Sequence, residues 1–269
     1  MKYTQALLFS LVGFFSSSPF TTAFIPPDPP LSIPGPPADP PKVPGDGIGS
    51  YNSKDASIGD RLDFYEYRAM AKAADTLGLN NAARNLDHYL DNTGDDLYEV
   101  PEAMMADLPD FKSLVLNLVQ TEAKKAYKAA ATGSGSTQLF STPWKAYDYS
   151  YKFNKDWFYA LGAFSYSVAG IVKAHRDSSK SKSYTAEMSY VVYVFDRYNW
   201  DGGKSVEIGP FTFKDEDLGR MHLVGLAKEY VVRGSSVVQT LGNWDPDAKL
   251  SPPPVPSDDN DGRGRGGRD

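Results

Sequence analysis

Tyr184-Thr185-Ala186-Glu187-Met188-Ser189-Tyr190-Val191-Val192-Tyr193-Val194-Phe195 is the stretch on which the fold turns. Its alternate residues Tyr184, Ala186, Met188, Tyr190, Val192 and Val194 form one unbroken apolar and aromatic face, the period-two signature of a strand laid on a core. The other face starts polar, with Thr185, Glu187 and Ser189, and turns apolar at Val191, Tyr193 and Phe195. β-branched and aromatic residues dominate, as a pleated, half-buried surface requires.

Working outward, Phe158 to Val172 reads as a long strand or a hairpin, with Phe164, Tyr166, Val168 and Val172 on one face. A polar turn, Arg176 to Ser183, joins it to the strand above. Lys204 to Phe213 holds one strand or two short ones, broken at Gly209-Pro210. Asp215-Glu216-Asp217 then favours the first turn of a helix, with Leu218, Met221 and Gly225 on its packed side. Glu229 to Val232 is the last predicted strand, closed by Gly234. Further upstream the period is helical. Asp60 to Leu77 carries Leu62, Tyr65, Ala69, Ala73 and Leu77 at helical spacing, Asn81 to Leu90 carries Ala82, Leu86, Tyr89 and Leu90, and Phe111 to Ala131 carries Leu114, Leu118, Ala123 and Tyr127. The expected fold class is therefore α+β: a small N-terminal helical region followed by an antiparallel β-rich module with one packed helix.

The ends of the chain have a different character. Lys2, the apolar run Ala6 to Phe15 and the small residues up to Ala23 have the three parts of a secretory signal. The run is about half the roughly 20 residues a bilayer core needs. The expected organisation is a signal peptide over 1–23, a proline-rich disordered linker over 24–54, the helical region over 55–133, the β-rich module over 139–246 and a disordered tail over 247–269. The protein is expected to be secreted and extracellular, and not an integral membrane protein. With 0 cysteines, thiol nucleophiles, cysteine zinc sites and iron–sulfur clusters are excluded. A net charge of −6 argues against nucleic acid as a partner.

Chemistry concentrates where the best strand ends, in Phe195-Asp196-Arg197-Tyr198-Asn199-Trp200-Asp201-Gly202-Gly203-Lys204. Alternation puts Asp196 and Tyr198 on the face of Met188, Tyr190 and Val194. A carboxylate that continues an apolar face is costly unless it is paired or working. In the functional reading Asp196 is a base or a metal ligand and Tyr198 a phenolic donor. Lys204 or Arg220 stabilises an anion, and His222 joins from the following helix. Asn199, Trp200, Asp201 and Lys204 would contact substrate. In the structural reading the same stretch is a turn, with Asp196 capping amides and Trp200 plugging the core. Of the other histidines, His88 reads as a surface or interhelix residue and His175 as an exposed one. Asp91 to Asp96 has calcium-type oxygens but lacks the closing Glu of a calcium loop.

Three stretches, Asp156 to Ser167, Tyr193 to Trp200 and Gly225 to Tyr230, resemble the C-terminal modules of bacterial polymorphic toxins. Their layout is similar to that of the colicin M-like bacteriocins. Asp196 and Tyr198 match the first Asp and the Tyr of that family's Asp-x-Tyr-Asp motif, and Asn199 stands where the family has a second Asp. The resemblance implies metal-dependent phosphodiester cleavage of a lipid-linked cell-wall precursor, with a divalent cation (Mg or Ca) at Asp196. It also implies a bacterial envelope component as extracellular target. Two functions are thus expected: a secreted toxin-like or antimicrobial effector, or a non-enzymatic secreted protein that grips a glycan or protein surface through aromatic residues.

Overall fold

A computed structural model describes residues 31–43, 47–132, 136–148, 150, 152–176, 184–201, 205–208 and 211–256. The predicted signal peptide, most of the polar turn before Tyr184, Lys204 and the last residues of the tail lie outside them. The chain divides between Leu31 and Ser32, and every element below belongs to the unit that starts at Ser32.

In chain order the elements are α1 (Ile58–Thr76), α2 (Asn80–Leu90), β1 (Leu97–Glu99), α3 (Pro101–Asp107) and α4 (Pro109–Ala131). Then come β2 (Thr137–Ser141), β3 (Lys145–Asp148), α5 (Lys155–Ala160), β4 (Ala163–Arg176), β5 (Tyr184–Tyr198), β6 (Ser205–Ile208), β7 (Phe211–Lys214), α6 (Asp215–Leu223), β8 (Tyr230–Ser235) and β9 (Gln239–Leu241). The fold is α+β. Seven strands form one sheet in the order β1-β8-β5-β4-β2, with β3 also on β4 and β9 also on β5. The pairs are antiparallel except β1 with β8, which is parallel. The pair β6–β7 forms a separate ribbon. Because β1 lies within the predicted helical region and pairs with β8 near the other end, the helices and the sheet share one body.

The face of β5 read as apolar is indeed the core face. Met188, Tyr190, Val192 and Val194 pack with Phe164, Tyr166, Val168 and Val172 of β4 against Phe111, Val115, Val119 and Ala123 of α4. Gly170 of β4 leaves room for the ring of Phe140 on β2, where an added Cβ would lie 2.3 Å from that ring and 2.5 Å from the Ser189 carbonyl. Leu250, within the stretch expected to be tail, is buried in the same core beside Trp244. A second cluster joins Tyr67, Met70 and Ala71 of α1, Leu86, Tyr89 and Leu90 of α2, Leu218 and Met221 of α6, and Tyr198 and Tyr230 of the sheet.

Several elements depart from the sequence reading. On α1, Leu62 and Tyr65 point to solvent, 65% and 70% exposed, and the next residue, Leu77, is 61% exposed. The packed face is instead Tyr67, Met70, Ala71 and Ala74, whose two alanines admit the neighbouring α2. Residues 158–160 are helical, not strand, because Asn154 caps α5 by accepting a hydrogen bond from Trp157 N–H at 3.0 Å. α6 stops at Leu223, and Gly225 lies beyond it at φ +71°, where the amides of Leu226 and Ala227 return to the Met221 carbonyl. Gly234 sits inside β8, between β5 and β1, and does not end it.

The proline-rich segment is the largest surprise. Residues 32–43 have neither helix nor strand, yet they lie on the outer face of the sheet. Ile33, like Trp144, packs on Ala169, Val191 and Tyr193. That is why the second face of β5 turns apolar at Val191: from there on it is covered.

Candidate functional site

From Ser165↔Phe195 to Arg176↔Tyr184, β4 and β5 are partners. Past Phe195 they separate. β5 continues with β8 alone (Asp196↔Val232, Arg197↔Val231, Tyr198↔Tyr230), while the first residues of β4 pair with β3. The wedge between the diverging strands is a cavity of about 430 Å³. Asp196, Tyr198, Asn199, Trp200 and Asp201 line one side. Phe158 to Gly162, from α5 and the bend after it, line another, and Ala74, Ala82 and Leu86 of α1 and α2 and Asp215 of α6 complete it.

The position of this wall depends on a long-range cap. The Asp156 carboxylate of α5 accepts hydrogen bonds from the Asn81 and Ala82 amides at 3.0 and 2.8 Å, at the N-terminus of α2. That satisfies amides the helix itself leaves unpaired and ties the α5 side of the cavity to the α2 side.

Tyr198 is buried at the base. Its ring stacks on Tyr230 with centroids 4.8 Å apart and an interplanar angle of 16°, and meets Trp200 edge-on at 5.6 Å. Burial, reinforced by the Asp196 and Asp215 carboxylates, holds its phenol far above the ordinary tyrosine pKa. At neutral pH Tyr198 is therefore a neutral aromatic surface. The indole Nε1 of Trp200 is buried and has no hydrogen-bond partner. An indole N–H only donates, and leaving it unpaired is costly; this one is shut off from solvent within the wall, and the ring is what Trp200 contributes to the cavity. The lining carboxylates are Asp196, Asp201 and Asp215. Among the described lining residues the one cation is Arg197, and its guanidinium donates to the Pro40 carbonyl at 2.7 Å. The cavity is therefore aromatic and acidic.

The structure brings together five of the predicted site residues: Asp196, Tyr198, Asn199, Trp200 and Asp201. It does not bring in Arg220 or His222. Arg220 makes a two-pronged ion pair with Asp60 of α1, with its Nη2 at 2.8 Å from Oδ2. His222 is buried against Tyr51, with ring centroids 5.4 Å apart, and its Nδ1 accepts the Glu229 amide at 3.1 Å. Burial lowers the His222 pKa, consistent with a neutral ring that accepts at Nδ1. Both residues hold α6 in place. Lys204 lies outside the described residues. Sequence reading missed Phe158 to Gly162 and Asp215, which belong to other elements and meet Asp196 only through the topology.

Among the described residues, no three His, Asp or Glu side chains are grouped to hold a metal ion. In the stretch from Asp91, Asp91 pairs with Arg68 at 2.6 Å and Asp96 with Arg233 at 2.5 Å, so arginines engage those carboxylates. None of the described helices is long and apolar enough to cross a membrane. Comparison with protein-family models, with curated proteins and with solved structures finds no match.

Proposed function

We propose that this is a secreted glycan-binding protein whose binding site is the cavity at the end of β5. The observation that carries the reading is the meeting, in one space of about 430 Å³, of the aromatic residues Tyr198, Trp200, Phe158 and Tyr159 with the acceptors Asp196, Asn199 and Asp201. A sugar ring has an apolar C–H face and a rim of hydroxyls. The face suits the aromatic wall, and the hydroxyls suit the carboxylates and the Asn199 amide. The volume suits one or two rings. The same acidity disfavours a phosphate or uronate, which needs positive potential. Arg220, one of the two anion stabilisers open to a phosphodiesterase reading, and His222 are engaged elsewhere.

The test is titration of the purified protein with neutral, amino and acidic oligosaccharides, followed by tryptophan fluorescence. Neutral or amino sugars should saturate the signal and acidic ones should not. Trp200→Ala and Asp196→Asn should each weaken binding by about tenfold, the scale of one lost aromatic or hydrogen-bonded contact. Binding indifferent to both substitutions rules the site out. Cleavage of a lipid-linked pyrophosphate in the presence of divalent metal, abolished by Asp196→Ala, would replace this reading with the hydrolytic one.

A further inference from the structure

We propose that the outer face of the sheet is a receptor for proline-rich peptides bearing an aspartate, occupied within the chain by residues 32–43. This does not depend on the glycan reading, because Asp196 and Tyr198 face the opposite side of β5.

Proline has no amide hydrogen, so a proline-rich segment presents more carbonyl acceptors than amide donors. A surface that recognises one must supply donors from side chains. The outer face does so at three points. Tyr193 Oη donates to the Pro34 carbonyl at 2.9 Å, Trp144 Nε1 to that of Ala38 at 2.9 Å, and Arg197 Nη2 to that of Pro40 at 2.7 Å. A fourth contact reads a side chain. The Arg233 guanidinium grips both Asp39 oxygens, at 2.6 and 2.7 Å, in the planar fork that suits a carboxylate.

The donors are built into the receptor and do not merely meet the peptide. Phe195 packs against Trp144 at 5.6 Å, and the guanidiniums of Arg197 and Arg233 lie over its ring at 5.3 and 5.5 Å. Asp96 holds Arg233 from the other side. Tyr193, Phe195 and Arg197 share one face of β5 at period two, and Phe195↔Arg233 is a cross-strand pair. Aromatic rings interleaved with fixed donors are the general means by which proline-rich segments are bound.

Burial is one-sided. Ala169, Val191 and Tyr193 are buried beneath the segment, whereas no residue of 32–43 is itself buried. The segment is held at the surface by side-chain donors, the Asp39 fork, a Lys42–Glu229 ion pair at 3.5 Å and the packing of Ile33, so its departure opens the receptor and uncovers Ala169, Val191 and Tyr193. An exchangeable peptide has these properties.

The experiment adds a fluorescent peptide of sequence Ser32 to Val43 to the full-length protein and follows its polarisation. In the native chain the tethered copy competes at roughly millimolar effective concentration, so the peptide should bind weakly. Asp39→Ala in the protein weakens the resident segment and should tighten apparent binding at least about tenfold. A peptide carrying Asp39→Ala should bind both proteins poorly, and adding Trp144→Ala to the protein should remove binding. If circular dichroism shows that Asp39→Ala unfolds the chain, a protease site placed between Val43 and Gly47 and cut after folding frees the segment, and exchange with labelled peptide is measured instead. Equal affinity for native and Asp39→Ala protein overturns the proposal. So does binding that survives Trp144→Ala, or a cut segment that does not exchange.

Discussion

Removing the Arg220 side chain tests whether this residue holds the fold together or acts in the site. Its partner Asp60 is 3% exposed and lies in the first turn of α1. Besides Arg220, the Asp60 carboxylate accepts from the Ser57 amide and the Ser57 hydroxyl, both at 2.7 Å. Arg220→Ala leaves a buried carboxylate with Ser57 alone. Breaking a fully buried ion pair costs about 3–5 kcal/mol. The Arg220 side chain is 41% exposed, so water screens its half of the pair and the loss falls short of that range. For a body of this size it should still lower the melting temperature by several degrees. Arg220→Lys, which keeps the charge and loses the fork, should fall between. The assay is thermal and urea denaturation of the three proteins, with glycan affinity measured alongside. The ion pair holds the Asp60 pKa well below the ordinary carboxylate value. Its contribution is therefore complete above the unfolded value of about 3.9 and fades as pH falls further. The gap between native protein and Arg220→Ala should narrow in acid. An Arg220→Ala protein as stable as the native one at neutral pH, or one that keeps its fold and loses ligand, refutes the assignment.

Other expectations follow from the same structure. Gly170→Ala places a methyl group against the Phe140 ring and the Ser189 carbonyl, and should cost about 1–3 kcal/mol of stability, the usual price of overpacking, read from urea denaturation. Burial raises the pKa of Tyr190 to about 12 and that of Tyr198 and Tyr230 beyond the ordinary range. Stability should therefore fall as pH rises above about 10, where unfolded tyrosines release protons that the folded ones keep, and tyrosinate absorbance should appear together with unfolding. His222 has a lowered pKa, so protonation favours the unfolded chain. Stability should decline as pH falls below about 6.5, and His222→Gln should flatten that limb of the pH profile.

The readable parts of the chain were those where one residue pattern had one consequence. β5 is long, and its alternation from Tyr184 to Val194 named its core face. The apolar turn at Val191, Tyr193 and Phe195 also announced a cover, but the cover was written in prolines, a composition shared with free linkers. Its docking depends on Trp144, Arg197 and Arg233, none of which is near it in sequence. On α1 two faces carry apolar residues. The larger side chains, Leu62 and Tyr65, point to water, because close approach of α2 favoured the face with Ala71 and Ala74. β1 and α3 are too short for periodicity to register. Of the cavity, the contiguous part from Asp196 to Asp201 was legible, whereas Phe158 to Gly162 and Asp215 arrive through strand divergence and helix placement. Arg220 and His222 have the chemistry of a site but were claimed by Asp60 and by the Glu229 amide.

The segment from Ser32 to Val43 has one more consequence, in the order of events on the ribosome. It is synthesised early, but Trp144 and Arg197 follow the residues they hold by 106 and 157 positions, and Arg233 follows Asp39 by 194. The segment therefore waits through most of translation, its five prolines withholding amide donors from a stray strand edge. Its aspartate meets the arginine fork only after β8 has been made and set in register beside β5. A part of the fold made early is seated late, once β8 lies in register beside β5.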